Sequence, residues 1–180
     1  MHEKRFEGAI ARLRNPERIA RLEVERGVTL CLEGAQIKCG LDVGTGTGLF
    51  AEAFAKRGLA VSGVDVNPEM LPVARTYVSV GDFCESSAEA LPFASAAFDL
   101  IFMGLLLHES DEQLQVLGEA RRVVRTRVGI LEWAYREEDF GAPLVHRLAP
   151  EILAELAKEA GFSQCEAIPL TKLVFYRLTV

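Results

Sequence analysis

The sequence predicts an α/β fold in which helices cover both faces of a doubly wound, mostly parallel sheet completed by an antiparallel C-terminal hairpin strand. Two observations lead to this fold class. Short apolar runs alternate with helical patterns along the chain, which is typical of a parallel sheet. The final stretch, QCEAIPLTKLVFYRLTV, contains two strand-like runs joined tightly at residues 169–172. Strands joined by so short a turn must be antiparallel.

The predicted strands of the alternating part are CGLDVG, AVSGVD, FDLIFM and VGILEW. Each is compact and largely apolar, as in strands that helices cover on both faces. A helical unit over roughly residues 14–32 precedes the first strand, so residues 1–35 are interpreted as an N-terminal helical extension. The length of 180 residues fits a single domain, 1–180.

Capping residues mark three predicted helix starts. Asn67 is a predicted N-cap followed by Pro68, which suits the first helical position. Ser110 and Gln113 form a predicted capping box, and Pro150 opens the last helix. The expected core-facing stripes are Leu114, Leu117, Ala120 and Val124 on one helix and Ile152, Leu153, Leu156 and Ala160 on the other.

The composition indicates an ordinary soluble protein with an acidic balance, since the formal net charge is −6. An acidic chain does not attract phosphate backbones, so no nucleic-acid partner is expected. A basic run does occur, in which Arg121, Arg122, Arg125 and Arg127 are interpreted as the solvated face of a helix and its exit.

No targeting or membrane-spanning segment is recognised in the sequence. The longest apolar run, IFMGLLL, is far shorter than the ~20 residues that a membrane span needs. The start MHEKRFEGAI lacks the apolar core of a signal peptide. The four cysteines are scattered without CxxC spacing, so we expect buried, reduced thiols, no metal site and a cytoplasmic location.

The most informative segment is LDVGTGTGLF, residues 41–50. Gly44, Gly46 and Gly48 lie between a buried strand and a helix, where glycine permits positive φ and a close approach of ligand to backbone. Asp65 ends the next strand about twenty residues on, where a carboxylate can accept hydrogen bonds from both hydroxyls of a ribose. The pattern predicts a nucleotide-type site at the carboxyl ends of the strands.

The spacing of these glycines bears on which nucleotide is bound. The dinucleotide fingerprint is G-x-G-x-x-G, and its third glycine would stand where this chain has Leu49. A nicotinamide cofactor is therefore disfavoured. An NAD(P)-dependent oxidoreductase stays open as an alternative, because it would share the sheet, the loop and Asp65.

An ordered series of segments resembles a known family. The segments LDVGTGTG, VDVNPEML, AEALPFASAAFDLIF, LLLHESDE, EARRVV and GILEW are similar to those of the Rossmann-type S-adenosylmethionine-dependent methyltransferases, particularly the small ubiquinone/menaquinone-biosynthesis-like group, methyltransferase type 11. The resemblance extends from about residue 40 to 133. It implies a seven-stranded sheet whose last strand is antiparallel. It also implies methyl transfer from S-adenosylmethionine to a small-molecule acceptor, with S-adenosylhomocysteine as the product.

The resemblance gives a set of residues a role in donor binding. They are Asp42, Gly44, Thr45, Gly46, Gly48, Asp65, Val66, Met70, Ser87, Ala88, Glu89, Met103 and Gly104. By similarity, Asp42 and the backbone of the glycine loop hold the methionine end of the donor. Asp65 is implied to bind the ribose hydroxyls.

The remaining donor residues are implied to surround the adenine and the transferable methyl group. Val66 and Met70 lie near the adenine by resemblance, and residues 88–89 pass along its edge. Met103 and Gly104 lie beneath the donor, where methyl transfer occurs.

The chain departs from the family pattern at two places. Ser87 stands where the family commonly has an acidic residue, so the bond to the adenine amino group is expected from the serine hydroxyl, a backbone group or water. An Arg-Thr-Arg segment, residues 125–127, replaces the usual Pro-Gly turn before the fifth strand.

His108 is the leading candidate for a catalytic or acceptor-contacting residue. The donor is already activated, so a general base is needed only where the acceptor loses a proton of high pKa, and histidine commonly serves. His108 follows the fourth strand, near the edge where the methyl group is expected. Glu109 and His146 are weaker candidates. The alternative is that His108 is only a capped or partly buried side chain.

The acceptor pocket is expected from the N-terminal helix, the stretch after Met103 and residues 135–147. Trp133 and Tyr135 either stack on the acceptor or pack against the sheet edge, and packing is favoured. Cys84 is interpreted as an inert buried thiol.

A second subunit could complete this pocket, which would make a homodimer. A donor-binding but non-catalytic regulatory protein is the other alternative function. The acceptor's identity, the attacking atom, the pathway and the oligomeric state are not contained in the sequence.

Overall fold

The structure, a computed structural model, describes residues 10–180 without the side chain of Ala11. Its strands are β1 (Cys39–Val43), β2 (Ala60–Asp65), β3 (Asp82–Glu85), β4 (Phe98–Gly104), β5 (Val124–Trp133), β6 (Gln164–Pro169) and β7 (Leu173–Thr179). They form one seven-stranded sheet in the order β3-β2-β1-β4-β5-β7-β6. The α-helices are α1 (Pro16–Arg21), α2 (Val24–Leu32), α3 (Leu49–Lys56), α4 (Met70–Tyr77), α5 (Gln113–Val123) and α6 (Pro150–Glu159).

The pairing of the strands confirms the predicted fold class. Strands β1 to β5 run parallel to one another, and β7 lies antiparallel between β5 and β6. The tight turn predicted at residues 169–172 joins β6 to β7. Because parallel strands end at the same edge, the segments that follow β1, β2, β4 and β5 meet there.

Each face of the sheet has its own hydrophobic core. One core packs α5 and α6 against the sheet, and the other packs α2, α3 and α4 against the opposite face. Strand β4 serves both, because successive side chains point to opposite faces: Ile101 and Met103 lie in the first core, and Leu100 and Phe102 in the second. Covering on both faces explains why these strands are apolar almost throughout.

Two helices begin later than predicted. Asp65 accepts a hydrogen bond from the Asn67 amide, and the Asn67 side chain accepts one from the Glu69 amide, so the chain turns before α4 begins at Met70. Ser110 likewise caps a turn by accepting from the Glu112 amide, and α5 begins after it. Side-chain turns of this kind compete with helix formation, so the predicted starts were wrong by a few residues.

The buried residues of α5 and α6 differ by about one position from the predicted core-facing stripes. The expected burial is confirmed for Leu117, Ala120 and Leu153. On α6 the next buried residue is Ala157 and not one of its neighbours. Ile152, predicted in the core, is 47% exposed. It precedes Leu153 by one residue, which turns it about 100° around the helix. The other predicted stripe residues, Leu114, Leu156 and Ala160, are half-buried, and Val124 is buried in β5.

The predicted helical extension is not one unit. A short 3-10 helix at Ile10–Arg14 precedes α1, and Glu23, with φ of 46°, separates α1 from α2. Residues 1–9 of the extension lie outside the described residues. Leu22 is buried between the two helices, so the break does not expose the joint.

The basic run ties loops to the sheet instead of forming a purely solvated face. Each of its arginines donates to at least one backbone carbonyl: Arg121 to Gly161, Arg122 to Leu91 and Phe93, Arg125 to Ala96, and Arg127 to Glu33. The segment 125–127 is part of β5, which begins directly where α5 ends. No separate turn is therefore needed where the family pattern has Pro-Gly.

The cysteines are all free, but they are not all buried. Cys31 is buried, Cys39 and Cys165 are half-buried, and Cys84 is exposed. Cys84 follows Phe83, the one buried residue of the edge strand β3, so alternation turns it outward and the expected burial is wrong. Within residues 10–180, none of the helices combines the length and apolar character needed to cross a membrane.

Two glycine substitutions test the packing of the sheet. A Cβ at Gly129 would lie 2.6 Å from Sγ of the buried Cys31 and 3.2 Å from the Phe175 ring, so Gly129→Ala is expected to lower the free energy of unfolding by about 1–3 kcal/mol. Gly118→Ala on α5 meets nothing within 4 Å and is expected to raise it by about 0.5–1 kcal/mol. Urea unfolding measures both. A Gly129→Ala protein as stable as the parent would mean that α2 moves freely on the sheet.

Candidate functional site

The loop after β1, residues 44–48, is a tight strand-to-helix connection. Its backbone has positive φ at Gly44, Gly46 and Gly48. A Cβ at Gly48 would lie 3.0 Å from Ala74 of α4, so glycine there allows α3 to begin close to α4. The conformation at Gly46, φ of 51°, is one that L side chains rarely adopt. The loop therefore presents bare backbone at the carboxyl end of β1.

Asp42, the buried carboxylate of β1, anchors this loop. Its Oδ2 accepts hydrogen bonds from the Thr45 hydroxyl at 2.9 Å and from the Ala51 amide at 3.1 Å. Ala51 lies in the first turn of α3, where amides lack partners within the helix. Burial raises the pKa of Asp42 to about 7, although both hydrogen bonds act to lower it. Asp42 thus holds the loop and the helix start together.

Asp65, at the tip of β2, reaches the same loop. Its Oδ2 accepts from the Gly46 amide at 2.7 Å, and its Oδ1 accepts from the Asn67 amide at 2.9 Å. A carboxylate offers about four acceptor positions, so this anchoring is compatible with further hydrogen bonds from a diol. The Thr45 amide also donates to the Val64 carbonyl at 2.9 Å. The glycine loop and the end of β2 are therefore joined directly.

The segment after β3 carries a carboxylate, Glu89, that is held by one serine of this segment and by one serine that follows β4. Ser87 donates to Oε2 of Glu89, and Ser110 donates to Oε1 at 2.8 Å. The Glu89 amide in turn donates to the Ser87 hydroxyl. A carboxylate held by two hydroxyls thus lies two residues after Ser87.

The other predicted donor residues lie along the same edge with different exposure. Val66 is 40% exposed, whereas Met70 and Ala88 are buried. Met103 is completely buried in the core, so only its backbone can reach a ligand. Gly104 ends β4 and lies against the rings of Phe102 and Phe50, where a Cβ would be 3.0 Å from each.

His108 forms a buried pair with Glu132. Nδ1 of His108 lies 2.6 Å from Oε2 of Glu132, and the His108 amide donates to Oε1 at 3.2 Å. Both side chains are buried, at 7% and 1% exposure. Burial lowers the pKa of His108, but the Glu132 carboxylate and the nearby Glu109 outweigh it, so the pKa lies above its ordinary value. A capped side chain is therefore not a full description of His108.

A covering segment, residues 134–147, folds over the end of β5 around Arg147. The buried guanidinium donates to the carbonyls of Ala134, Arg136, Phe140 and Ala142 at 2.7–2.9 Å. Trp133 packs against the ring of Phe140, with centroids 5.6 Å apart.

Three further candidates lie in or near the same region. Trp133 is buried, as the packing interpretation expects, whereas Tyr135 is 52% exposed. His146 and Glu109 are half-buried. Tyr135 is thus the aromatic side chain of the pair with surface to offer a ligand.

The N-terminal segment lies over the loop. Arg14 donates to the Thr47 carbonyl at 2.8 Å, pairs with Glu52 at 2.7 Å and stacks on the ring of Tyr77. Cδ1 of Leu13 comes within 3.6 Å of where a Cβ of Gly46 would stand. The 3-10 helix before α1 therefore lies beside the glycine loop, and the part of the N-terminal helix in an acceptor pocket stays a prediction.

Sequence reasoning missed Glu132 and Arg147. Glu132 stands inside the apolar run VGILEW, and a carboxylate within a buried strand is a signal in itself, because burying an unpaired charge is costly. Its partner could not be read from the sequence, since His108 is 24 residues away. Arg147 gave no signal, because its partners are backbone carbonyls.

Comparison with known proteins shows which family this chain resembles. A family profile described as "Methyltransferase domain" matches residues 41–130, half of the chain. A demethylmenaquinone methyltransferase of Chlorobaculum parvum is 38% identical over 86 residues, which are 47% of this chain and 36% of that protein. A malonyl-[acyl-carrier protein] O-methyltransferase of Pectobacterium atrosepticum is 33% identical over 85 residues, 47% of this chain and 34% of that protein. The matches thus span only about a third of these curated relatives.

A solved structure matches nearly the whole fold. The crystal structure of a SAM-dependent methyltransferase from Aquifex aeolicus has a TM-score of 0.83 at 22% identity, covering 95% of this chain and 96% of that one. At this identity the likeness concerns the fold. Together with the profile match over β1 to β5, it leads to one conclusion: the chain belongs to the methyltransferase-domain family and has the Rossmann-like fold of S-adenosylmethionine-dependent methyltransferases.

Proposed function

We propose that this protein transfers a methyl group from S-adenosylmethionine to a small-molecule acceptor by in-line displacement. The observation that carries the proposal is the contact between the glycine loop and the tip of β2, where the Gly46 amide meets the Asp65 carboxylate at 2.7 Å. This brings a bare backbone surface and a diol-binding group to one edge of the sheet, where open α/β sheets bind their ligands. Membership of the methyltransferase-domain family supports the same activity.

The residues at this edge fit such a donor. Glycines of positive φ keep the loop backbone free of its own side chains, Asp65 suits the ribose hydroxyls, and the exposed Val66 suits one face of the adenine. Glu89, held by two serine hydroxyls, supplies the carboxylate for the adenine edge that Ser87 lacks. Asp42 acts on the donor through the loop that it anchors.

The donor supplies an activated methyl group, so the protein's own task is to align the acceptor and exclude water. The covering segment and the helices before β1 are the elements that do so. Arg147 keeps the covering segment closed on β5, and Arg14 keeps the N-terminal segment on the loop. We assign His108 the catalytic role of a general base that takes up the acceptor's proton.

The partners and the location follow as proposals from composition and contacts. We propose action in the cytoplasm on a small molecule, without nucleic acid, because the net charge is −6 and the basic run is engaged with the chain's own carbonyls. We treat residues 1–180 as one domain. Sedimentation at several concentrations tests whether a second copy completes the pocket.

The decisive first experiment is calorimetric titration with S-adenosylmethionine and, in parallel, with NAD. Preferential binding of S-adenosylmethionine supports the proposal, and preferential binding of NAD would favour an oxidoreductase. Methyl transfer is then assayed on reduced demethylmenaquinone, a malonyl thioester, a catechol, a primary amine and a thiol. Donor binding without turnover on any acceptor would favour a regulatory protein.

Asp65→Ala removes the proposed ribose contact. We expect affinity for S-adenosylmethionine to fall by about 1.5–3 kcal/mol, roughly 10- to 150-fold, since a hydrogen bond to a charged group is lost. Calorimetry measures the change. Asp82→Ala is the matched control, because Asp82 is exposed at the opposite end of the neighbouring strand β3. Equal affinities in both variants would remove Asp65 from the donor site.

Gly46→Val tests whether the loop backbone cradles the donor. Valine strains a backbone with φ of 51° and places methyl groups on the loop surface, so we expect no measurable donor binding. Gly58→Val is the control for strain, because Gly58 also has positive φ, 86°, but has nothing within 4 Å of its Cβ position. A folded Gly46→Val protein, verified by circular dichroism, that still binds the donor would contradict the proposed cradle.

His108→Ala separates catalysis from donor binding. We expect kcat to fall about 10²-fold or more while donor affinity stays unchanged, because general bases typically contribute that much. His146→Ala, in the covering segment, is the control and should keep more activity. Turnover equal to that of the parent protein would return His108 to a structural role.

A further inference from the structure

The pair of His108 and Glu132 joins two elements that the sheet places side by side. His108 lies in a short 3-10 helix, Leu107–Glu109, just after β4, and Glu132 is the penultimate residue of β5. The strands are in register at Gly104 and Leu131, and the Leu105 amide donates to the Leu131 carbonyl. One carboxylate binds both the ring and the backbone amide of His108, so the backbone holds the carboxylate in place and the carboxylate holds the ring through Nδ1.

We propose that Glu132 is a positioning residue that holds His108 with its proton on Nδ1, so that Nε2 accepts the proton of the methyl acceptor. The acceptor is accordingly a molecule whose attacking group is a hydroxyl or an amine. This inference rests on the proposed methyl transfer. A carboxylate at 2.6 Å fixes the tautomer because an ionised carboxylate only accepts hydrogen bonds, so the nitrogen facing it must carry the proton.

The step balances without a further reactant. The acceptor's oxygen or nitrogen forms a bond to the methyl carbon as the bond from that carbon to sulfur breaks, and the electron pair stays on sulfur. The proton of the acceptor passes to Nε2 of His108, which becomes an imidazolium beside the Glu132 carboxylate. Solvent then removes that proton before the next turnover.

The charges around the pair favour such an imidazolium. Glu132 faces the ring from β5, and Glu109 adds a second negative charge from the same 3-10 helix; both raise the pKa of His108. Arg147, from the covering segment, acts to lower it, and burial lowers it too. The Glu132 carboxylate also helps to raise the pKa of the Tyr176 phenol on β7, although burial is the main cause of that rise.

A purely structural account of the pair is weaker. Buried ion pairs contribute little net stability, because desolvation offsets their attraction. Replacement of a buried ion pair by apolar residues of similar volume is often neutral or stabilising. A buried histidine whose pKa a specific carboxylate partner raises, at the edge where open α/β sheets bind ligands, is instead typical of functional sites.

Histidine NMR tests the positioning directly. The chain has three histidines, so His2→Gln and His146→Gln assign the signals of His108. In the parent protein we expect neutral His108 to carry its proton on Nδ1. Glu132→Gln keeps an acceptor oxygen but removes the charge, so the titration of His108 should move to lower pH. Glu159→Gln, the same change at an exposed position on α6, should leave it in place.

The pH profile of methyl transfer tests the catalytic consequence. On a catechol or a primary amine, the rate should rise as His108 loses its proton, and Glu132→Gln should move this rise to lower pH and lower the plateau of kcat. The KM for S-adenosylmethionine should stay unchanged. A malonyl thioester, whose carboxylate has no proton to lose, should be a poor acceptor and insensitive to His108→Ala.

The outcomes separate this inference from the proposed function. An unchanged His108 titration in Glu132→Gln, or a loss of rate by the same factor at every pH, would overturn the role of Glu132 while methyl transfer stands. Preference for the carboxylate acceptor would overturn the acceptor class. Absence of donor binding in calorimetry would overturn the proposed function and the acceptor class with it. If Glu132→Gln does not fold, the His108 tautomer in the parent protein decides, since a proton on Nε2 contradicts the proposal.

Discussion

The hydrogen bonds of one buried carboxylate, Asp42, organise the ligand-binding edge of this protein. A single oxygen binds the hydroxyl of the glycine loop and an amide in the first turn of α3, so strand, loop and helix share one joint. The helix start gains a partner for an amide that would otherwise lack one. The cost is a buried charge, and the pKa of about 7 reflects it. Everything that the loop presents to a ligand depends on that joint.

The candidate site residues lie at one edge because the middle of the sheet is covered on both faces. Helices pack against each side of β1 and β4, so most side chains of these strands are apolar, and the buried carboxylates Asp42 and Asp99 are each held by hydrogen bonds. Asp65, Glu89, His108 and Glu132 all occur where strands end or after them. Glu132 precedes the last residue of β5, and its buried carboxylate is paired with His108 of the 3-10 helix that follows the neighbouring strand β4.

The sequence predicted what depends on local pattern and on segments resembling the family. The parallel sheet, the C-terminal hairpin and the approach of Asp65 to the glycine loop follow from strand-like runs and from the meeting of carboxyl ends at one edge. The helix starts near Asn67 and Ser110 were misplaced, because side-chain turns used the same residues first. Ile152 and Cys84 were predicted to be buried but are exposed, because each lies one residue away from the buried position of its helix or strand. Glu132 and Arg147 depend on contacts between distant segments, which no local pattern contains.

The covering segment owes its shape to one side chain from its own end. Arg147 gathers four carbonyls, and a carbonyl is present whatever residue carries it. Substitutions at exposed positions of this segment, such as Tyr135 and Val145, can therefore accumulate without loss of its shape, provided that Arg147 stays and that Gly141, where a Cβ would lie 2.6 Å from the Trp133 ring, stays glycine. An evolving lineage could revise the surface of the covering segment, where we propose that the acceptor binds, while inheriting the scaffold beneath it. Such a division lets one fold diversify its substrates by small steps, each of which leaves a folded protein for the next.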